Sequence, residues 1–380
     1  MKILHVYKHC HPETYGGIES VIYHLTQGLA KLNMTADVMT TTRMSQYHTR
    51  TLGRSRVYCY PTTLELSSCP MSWLMYRDFA KVAAQYDLIH YQYPWPFADL
   101  MCRFSKIDKP TVITYQSDIV RQRLLKPVYL PLAHWFLNRA DAITTTSENL
   151  QNSSDTLHRY RDKTSIIPIG IDSDCYPTPS AATLAQWQTR VGQQFFLFLG
   201  VLRYYKGVDF LLKAVRDSDI PVVIAGAGPE QQRLQQLAHA DGLSNVQFVG
   251  QVSDEAKMAL LTLCRCVVAP AHLRTEAFCI SLVEGLLFGK PLISTDVGTG
   301  TSFVNQQGRT GLVIPPADPN ALRQAMQQLM DDQRLYTQLQ AGAKAHYQRH
   351  FTSTVMAQQY VRLYQTLLAK RGRDLATEFN

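Results

Sequence analysis

Short apolar runs alternate with longer segments of helical spacing along the whole chain. In the first half the runs are Ile3–Tyr7, Asp37–Thr41, Leu88–Tyr91, Thr111–Thr114, Ala142–Thr145 and Ser165–Pro168, and Gly17–Leu32 carries apolar residues at helical intervals between the first two. Strand, helix, strand in repetition is the grammar of βαβ units. Several runs are apolar throughout rather than alternating, as parallel strands are when crossover helices bury both of their faces. The pattern predicts a doubly wound parallel sheet.

The alternation pauses at Asp172–Gln194, where two prolines sit among small polar residues, and this stretch reads as a linker. A second series follows: strands at Phe195–Gly200, Pro221–Gly226, Val246–Gly250, Cys266–Pro270 and Pro291–Thr295, and helices at Val208–Asp217, Glu230–Asp241, Asp254–Cys264 and Ser281–Gly289. Beyond Asp318 the chain reads as helical. Its last segment, Val355–Leu368, bears a 3.6-residue apolar stripe that must pack on something. The expected organisation is a Rossmann-like domain over residues 1–175, a second over 190–350, and a helix over 351–380 returning to the first. Two such domains place ligands at the carboxyl ends of strands that face each other across a cleft.

Length agrees, since 380 residues exceed what one core usually accommodates. With 46% hydrophobic and 18% charged residues and no low-complexity tract, fibrous and disordered classes are excluded. The net charge of +8 suggests an anionic partner, with nucleic acid, phosphorylated ligands and membrane surfaces all open at this level. The eight cysteines form no C-x-x-C pair and read as reduced thiols of a cytoplasmic protein. The N-terminal apolar run breaks at Lys8-His9, too short for a signal h-region, and no stretch approaches the length of a membrane span.

Tyr15-Gly16-Gly17-Ile18-Glu19 lies between the first strand and first helix, where glycines let free N–H groups face an anion; a plain strand-to-helix turn is the competing reading. Gly200–Gly207 occupies the same place in the second series, and its Arg203 and Lys206 beside a helix start suit a diphosphate, against the alternative of solvated surface charge. Glu276 and Glu284 stand eight residues apart, the first in the loop after Cys266–Pro270. For Glu284 a specific alternative exists, because Ser281-x-x-Glu284 has the spacing of a capping box. Gly226-x-Gly228 lacks the third glycine of a dinucleotide fingerprint, and no P-loop spacing occurs. Two stretches are free of acids: Val38–Leu64, with Arg43, Arg50, Arg54 and Arg56, and Ile119–Ala140, with Arg121, Arg123, Lys126 and Arg139. The second interleaves these cations with Leu124, Leu125, Val128, Trp135 and Phe136, which suits an anionic membrane surface or, alternatively, a core helix with a basic outer face.

In this order the elements resemble the retaining family-4 glycosyltransferases of the GT-B fold. The resemblance covers essentially the whole chain and rests on Gly16-Gly17, Ile169-Gly170-Ile171-Asp172, Gly200 to Gly207 and Glu276-x7-Glu284. It implies α/β architecture with two facing Rossmann-like domains and a C-terminal helix packing back on the first. It implies that Arg203 and Lys206 grip the donor diphosphate without a metal, with Gly16 and Gly17 near the phosphates. Glu284 would bind the nucleotide ribose, and Glu276 with Phe278, Cys279 and Ile280 the transferred sugar. Asp118 would face the sugar and acceptor, and Glu276 and Asp118 would be the catalytic candidates. Gln116 stands where the family frequently has histidine, and Cys279 where it usually has glycine, crowding the sugar pocket slightly. No nucleophile is assigned and no cofactor is expected.

Asp296–Asn305 resembles bacterial polysaccharide-assembly mannosyltransferases. The expectation is therefore a hexosyltransferase that moves mannose from GDP-mannose to a lipid-linked glycan in O-antigen type lipopolysaccharide synthesis. It would lie in the cytoplasm, peripheral on the inner face of an anionic membrane, with no nucleic-acid partner. Rival expectations are a GT-B nucleotide-sugar epimerase or hydrolase, and a noncatalytic nucleotide-sugar-binding subunit.

Overall fold

In the computed structural model, residues 1–14, 16–118 and 126–378 are described. The chain divides into two compact units, Met1–Asp172 with Ser353–Asn380, and Ser173–Thr352. Among the described residues the strands are β1 (Lys2–Val6), β2 (Thr35–Thr42), β3 (His48–Leu52), β4 (Ser55–Pro61), β5 (Leu64–Leu66), β6 (Cys69–Met71), β7 (Leu88–Tyr93), β8 (Thr111–Tyr115), β9 (Ala142–Thr145), β10 (Thr164–Ile166), β11 (Phe196–Leu199), β12 (Val222–Ala225), β13 (Val246–Gly250), β14 (Cys266–Ala269), β15 (Leu292–Thr295) and β16 (Gly311–Ile314).

The first unit is built on a sheet of order β10-β9-β8-β7-β1-β2-β4-β3. Every neighbouring pair in it is parallel except β3 with β4. The continuous apolar runs became its buried central strands: Ile3, Leu4 and Val6 in β1, Leu88 and Ile89 in β7, and Val112 and Ile113 in β8 are all buried. Each such side chain taken from water contributes on the order of 2 kcal/mol. The sequence reading lacked β3 to β6. The acid-free stretch with Arg50, Arg54 and Arg56 forms the β3–β4 hairpin at the sheet edge. Residues of β3 are only partly buried or exposed, so no apolar run marks it.

The helix Ser353–Glu378 returns to this unit. Its Met356, Ala357, Tyr360 and Tyr364 pack with Ile3, Leu88, Val112 and Ala142 of the sheet and with Leu25 and Leu29 of the helix Gly17–Lys31. Gly28 permits the approach, since a Cβ there would lie 2.5 Å from the Ser353 carbonyl oxygen. Polar bonds fix the register of this contact. His90 meets the Tyr364 hydroxyl at 2.7 Å through Nδ1 and Thr114 Oγ1 at 2.7 Å through Nε2, and the Tyr360 hydroxyl lies 2.9 Å from Thr114 Oγ1. Burial, then the neighbouring His5, holds His90 well below the usual imidazole pKa, so the ring is neutral.

The stretch read as a membrane face divides. Residues 119–125, with Arg121 and Arg123, lie outside the described residues, as does Tyr15. The helix Lys126–Arg139 contains Pro131, and its Ala133, Phe136 and Leu137 are buried in the core rather than presented to a surface. Among the described residues no helix is long and apolar enough to cross a membrane, and all eight cysteines are free thiols.

The second unit is a parallel sheet of order β13-β12-β11-β14-β15-β16. Phe196, Phe198, Val222, Ile224, Cys266, Val268 and Ile293 form its core with helix residues Leu211, Leu212, Met326 and Leu329. Within the proline-bearing stretch, Ala181–Val191 is a helix capped by the Ser180 hydroxyl, and its Trp187 and Val191 are buried in this unit. Both units are Rossmann-like halves, each with its loops gathered at the carboxyl ends of parallel strands.

Candidate functional site

Four loops at the carboxyl ends of β11, β12, β14 and β15 build the candidate site of the second unit, and close backbone contacts lock them together. Leu202 N donates to Ala227 O at 3.0 Å, and Glu230 N donates to Leu202 O at 3.1 Å. A Cβ at Gly226 would lie 1.9 Å from Gly200 O, and one at Gly228 2.4 Å from Leu202 O. The incomplete Gly226-x-Gly228 motif is thus a close-packing device that sets the loop bearing Arg203. Gly207 has φ +69°, and a Cβ there would lie 2.0 Å from Pro270 O. On the other side, Thr299 Oγ1 donates to Glu276 O at 2.5 Å and Gly300 N to Ala277 O at 2.8 Å.

These contacts bring Lys206 and Glu276 together as an ion pair, with side chains 16% and 9% exposed. Burial alone would lower the Lys206 pKa; the charge of Glu276, with Cys279, more than offsets it, and the ammonium is held above its usual range. Arg203 stands exposed before the turn Tyr204–Lys206. A fixed cation, a solvent-facing cation and a buried carboxylate therefore share one strand-end surface, a set suited to a diphosphate beside a polyhydroxylated group.

Phe278 and Cys279 are buried next to this pair. Cys279 adopts φ +67° and precedes the helix Ile280–Leu287, which explains why glycine is the usual residue there. Its Sγ lies 3.3 Å from Ser281 Oγ, and burial, then Glu276, pushes the thiol pKa up to about 11.

The structure overturns the capping-box reading of Glu284. The helix begins at Ile280 with Cys279 at the cap position and no side-chain cap bond, so Ser281 lies inside it. Glu284 instead accepts at Oε1 from the Tyr176 hydroxyl and from Lys257 Nζ, each at 2.9 Å. Lys257 also lies 3.3 Å from Asp254 Oδ1. Sequence reasoning missed Tyr176 and Lys257. Tyr176 sat in the segment read as linker, and a single lysine on the helix Asp254–Leu263 carries no pattern that distinguishes it from a solvated one.

In the first unit, Gly16 caps the helix Gly17–Lys31 with extended backbone (φ −129°) and no side-chain cap bond. Glu19, in the first turn, has its carboxylate against this glycine: a Cβ at Gly16 would meet Oε2 at 2.3 Å, and Thr14 Oγ1 lies 3.2 Å from Oε1. The positive end of the helix thus has an acidic neighbour of its own. Asp118, beyond β8, accepts at Oδ1 from the Tyr115 hydroxyl at 2.8 Å and from Ser154 Oγ at 2.6 Å. Gln116 donates through Nε2 to Gln92 Oε1 at 2.7 Å, so this position carries an amide pair in place of an imidazole.

The comparisons with known proteins agree in kind. The family model described as Glycosyltransferase Family 4 matches residues 15–174, and that described as Glycosyl transferases group 1 matches residues 181–346. The chain is 44% identical over 353 residues to the D-rhamnosyltransferase WbpZ of Pseudomonas aeruginosa, covering 93% of each protein. It is 43% identical over 372 residues to O-antigen chain mannosyltransferase C of Escherichia coli, covering 98% of this chain and all of the relative. Among solved structures, sucrose-phosphate synthase from Thermosynechococcus elongatus superposes with a TM-score of 0.79 over 97% of this chain and 99% of its own, at 22% identity. Anabaena HepE in complex with UDP gives 0.76 over 96% of this chain and 100% of its own, at 19% identity. With both halves matched and two relatives similar over nearly their full length, the chain belongs to the family-4 glycosyltransferases of the GT-B fold.

Proposed function

We propose that this glycosyltransferase moves mannose from GDP-mannose to a hydroxyl of a lipid-linked glycan in O-antigen type polysaccharide synthesis, with retention of anomeric configuration. The observation that carries the reading is the joined Lys206–Glu276 pair at the strand ends, on a chain 43% identical along essentially its whole length to an O-antigen chain mannosyltransferase. Arg203 and Lys206 act on the donor diphosphate, neutralising charge as it develops on the leaving group without a metal ion. Glu276, with the backbone of Phe278, Cys279 and Ile280, holds the sugar; Glu284 holds the ribose. Gly16 and Gly17 serve the phosphates, and Asp118 serves the sugar and acceptor. The bond from the anomeric carbon to the phosphate oxygen breaks as the bond to the acceptor oxygen forms on the same face. The acceptor's proton passes to the departing phosphate, so no side-chain nucleophile is required. The enzyme works at the inner face of an anionic membrane, where its acceptor is anchored.

The test is a panel of nucleotide sugars offered with synthetic lipid diphosphate acceptors, the products identified by mass spectrometry. Mannosyl product from GDP-mannose supports the assignment. A second donor has a specific basis in the 44% identity to a D-rhamnosyltransferase, and preference for activated D-rhamnose overturns the mannosyl assignment while leaving the transferase intact. Conversion of donor at a rate indifferent to acceptor identifies an epimerase or hydrolase instead. Glu276→Ala separates an enzyme, which loses transfer and keeps much of its nucleotide affinity, from a binding subunit with no transfer to lose. Cosedimentation with anionic vesicles at low and high salt tests the membrane assignment, and absence of binding at both contradicts it.

A further inference from the structure

Glu284 is buried, and two side-chain donors fix its carboxylate. Two donors from different parts of the second unit converge on it: Tyr176, next to the turn Ser173–Cys175, and Lys257, on the helix Asp254–Leu263. Both bonds fall on Oε1. Lys257 Nζ also lies 4.8 Å from the centre of the Tyr176 ring, so the three side chains close a triangle of hydrogen bond, ion pair and cation–π contact. Burial, then Glu284, drives the Tyr176 hydroxyl well above its usual pKa, so it stays a donor. Burial opposes the charge of Lys257, but Glu284 and Asp254 outweigh it and keep the ammonium protonated.

A carboxylate has about four lone-pair positions. With Oε1 occupied twice and no donor to Oε2 among the described residues, Oε2 retains two, which equals the donors that the vicinal 2′- and 3′-hydroxyls of a ribose present. Without the two protein donors the buried carboxylate could rotate and spread its acceptor sites over two orientations. We propose that Tyr176 and Lys257 are positioning residues that turn Oε2 of Glu284 toward the ribose diol of the donor nucleotide. This gives the enzyme its discrimination for ribonucleotides. The proposal rests on the reading that Glu284 binds the ribose.

The experiment measures calorimetric affinities of the full-length protein for GDP and for 2′,3′-dideoxy-GDP, in wild type and in Tyr176→Phe, Lys257→Met and Lys257→Arg. Wild type should prefer GDP. Tyr176→Phe and Lys257→Met should each weaken GDP roughly three- to tenfold, as expected when the ribose bonds to Glu284 are loosened by about one ordinary net hydrogen bond rather than abolished, and leave the dideoxy analogue within about twofold. Lys257→Arg, which keeps charge and donors, should restore most of the preference. Parallel loss for both nucleotides means the two residues only hold the unit's shape, and overturns the proposal. Unchanged GDP affinity in both variants overturns it as well. If wild type itself fails to distinguish the nucleotides, the ribose role of Glu284 falls, and the positioning role with it.

Discussion

Replacing Asp99 by asparagine should flatten the pH dependence of stability in the first unit. Asp99 lies in the helix Pro96–Phe104 and is fully buried. The Tyr129 hydroxyl donates to Oδ2, while Oδ1 has no hydrogen-bond partner among the described residues. Burial pushes the carboxyl pKa up to about 8 from 3.8, and the bond from Tyr129 only partly opposes that shift. The folded state therefore keeps a proton that the unfolded chain has released. Stability contributed by this proton is complete below pH ~4 and is lost as pH rises to ~8, at about 1.4 kcal/mol per unit, or roughly 6 kcal/mol at the upper limit. The asparagine side chain has the same shape as the protonated acid and does not titrate. Urea unfolding can be followed by tryptophan fluorescence, since Trp73, Trp95 and Trp135 lie in the first unit and Trp187 in the second. Between pH 5 and 7 the variant should gain about 1.4 kcal/mol on wild type per unit. Parallel stability curves would refute the reasoning, because they mean that Asp99 is ionised in the folded protein across the range.

Three further outcomes are expected. Lys206→Met leaves the Glu276 carboxylate buried without its cation and should cost about 3 kcal/mol, with Glu276→Gln in the same chain recovering at least half; strict additivity in a double-mutant cycle would show that the pair does not interact. Gly207→Ala forces a Cβ onto the Pro270 carbonyl at positive φ and should cost about 3 kcal/mol in thermal unfolding and lower nucleotide affinity by displacing Arg203 and Lys206. Cys279→Gly should stay within about 1 kcal/mol of wild type, since relief of the left-handed backbone offsets the lost sulfur contacts, whereas Cys279→Val should cost at least about 2 kcal/mol because a β-branched residue disfavours φ +67°. Equal melting temperatures for the two Cys279 variants would contradict that account.

The central strands were legible because burial on both faces leaves them no polar positions, as in Phe196–Leu199 and Val222–Ala225. The final helix was legible because its apolar stripe repeats at the helical period. The edge strand β3 was not, since a partly exposed strand carries mixed sequence and draws its pairing from its neighbour β4 rather than from its own pattern. Glu276 and Lys206 could each be named from chain position, at strand ends where ligands bind. Their union as an ion pair could not, because seventy residues of sequence separate the two and the loops meet through tertiary contacts, Gly207 against Pro270 and the bond from His272 N to Tyr205 O.

The sequence by itself determined the architecture, two successive βαβ series and a returning amphipathic helix, because hydrophobic periodicity is a local property and the resulting strand ends mark where ligands bind. Its short motifs were sufficient to name the family. Tertiary structure alone decided what each polar side chain faces: Glu284 as the shared acceptor of Tyr176 and Lys257 rather than a helix cap, and Asp118 held by Tyr115 and Ser154. It also placed a carboxylate of the first helical turn beside Gly16. Hydrogen bonds and ion pairs act over about 3 Å in space, and which groups come that close is set by packing of distant segments, which no spacing along the chain encodes.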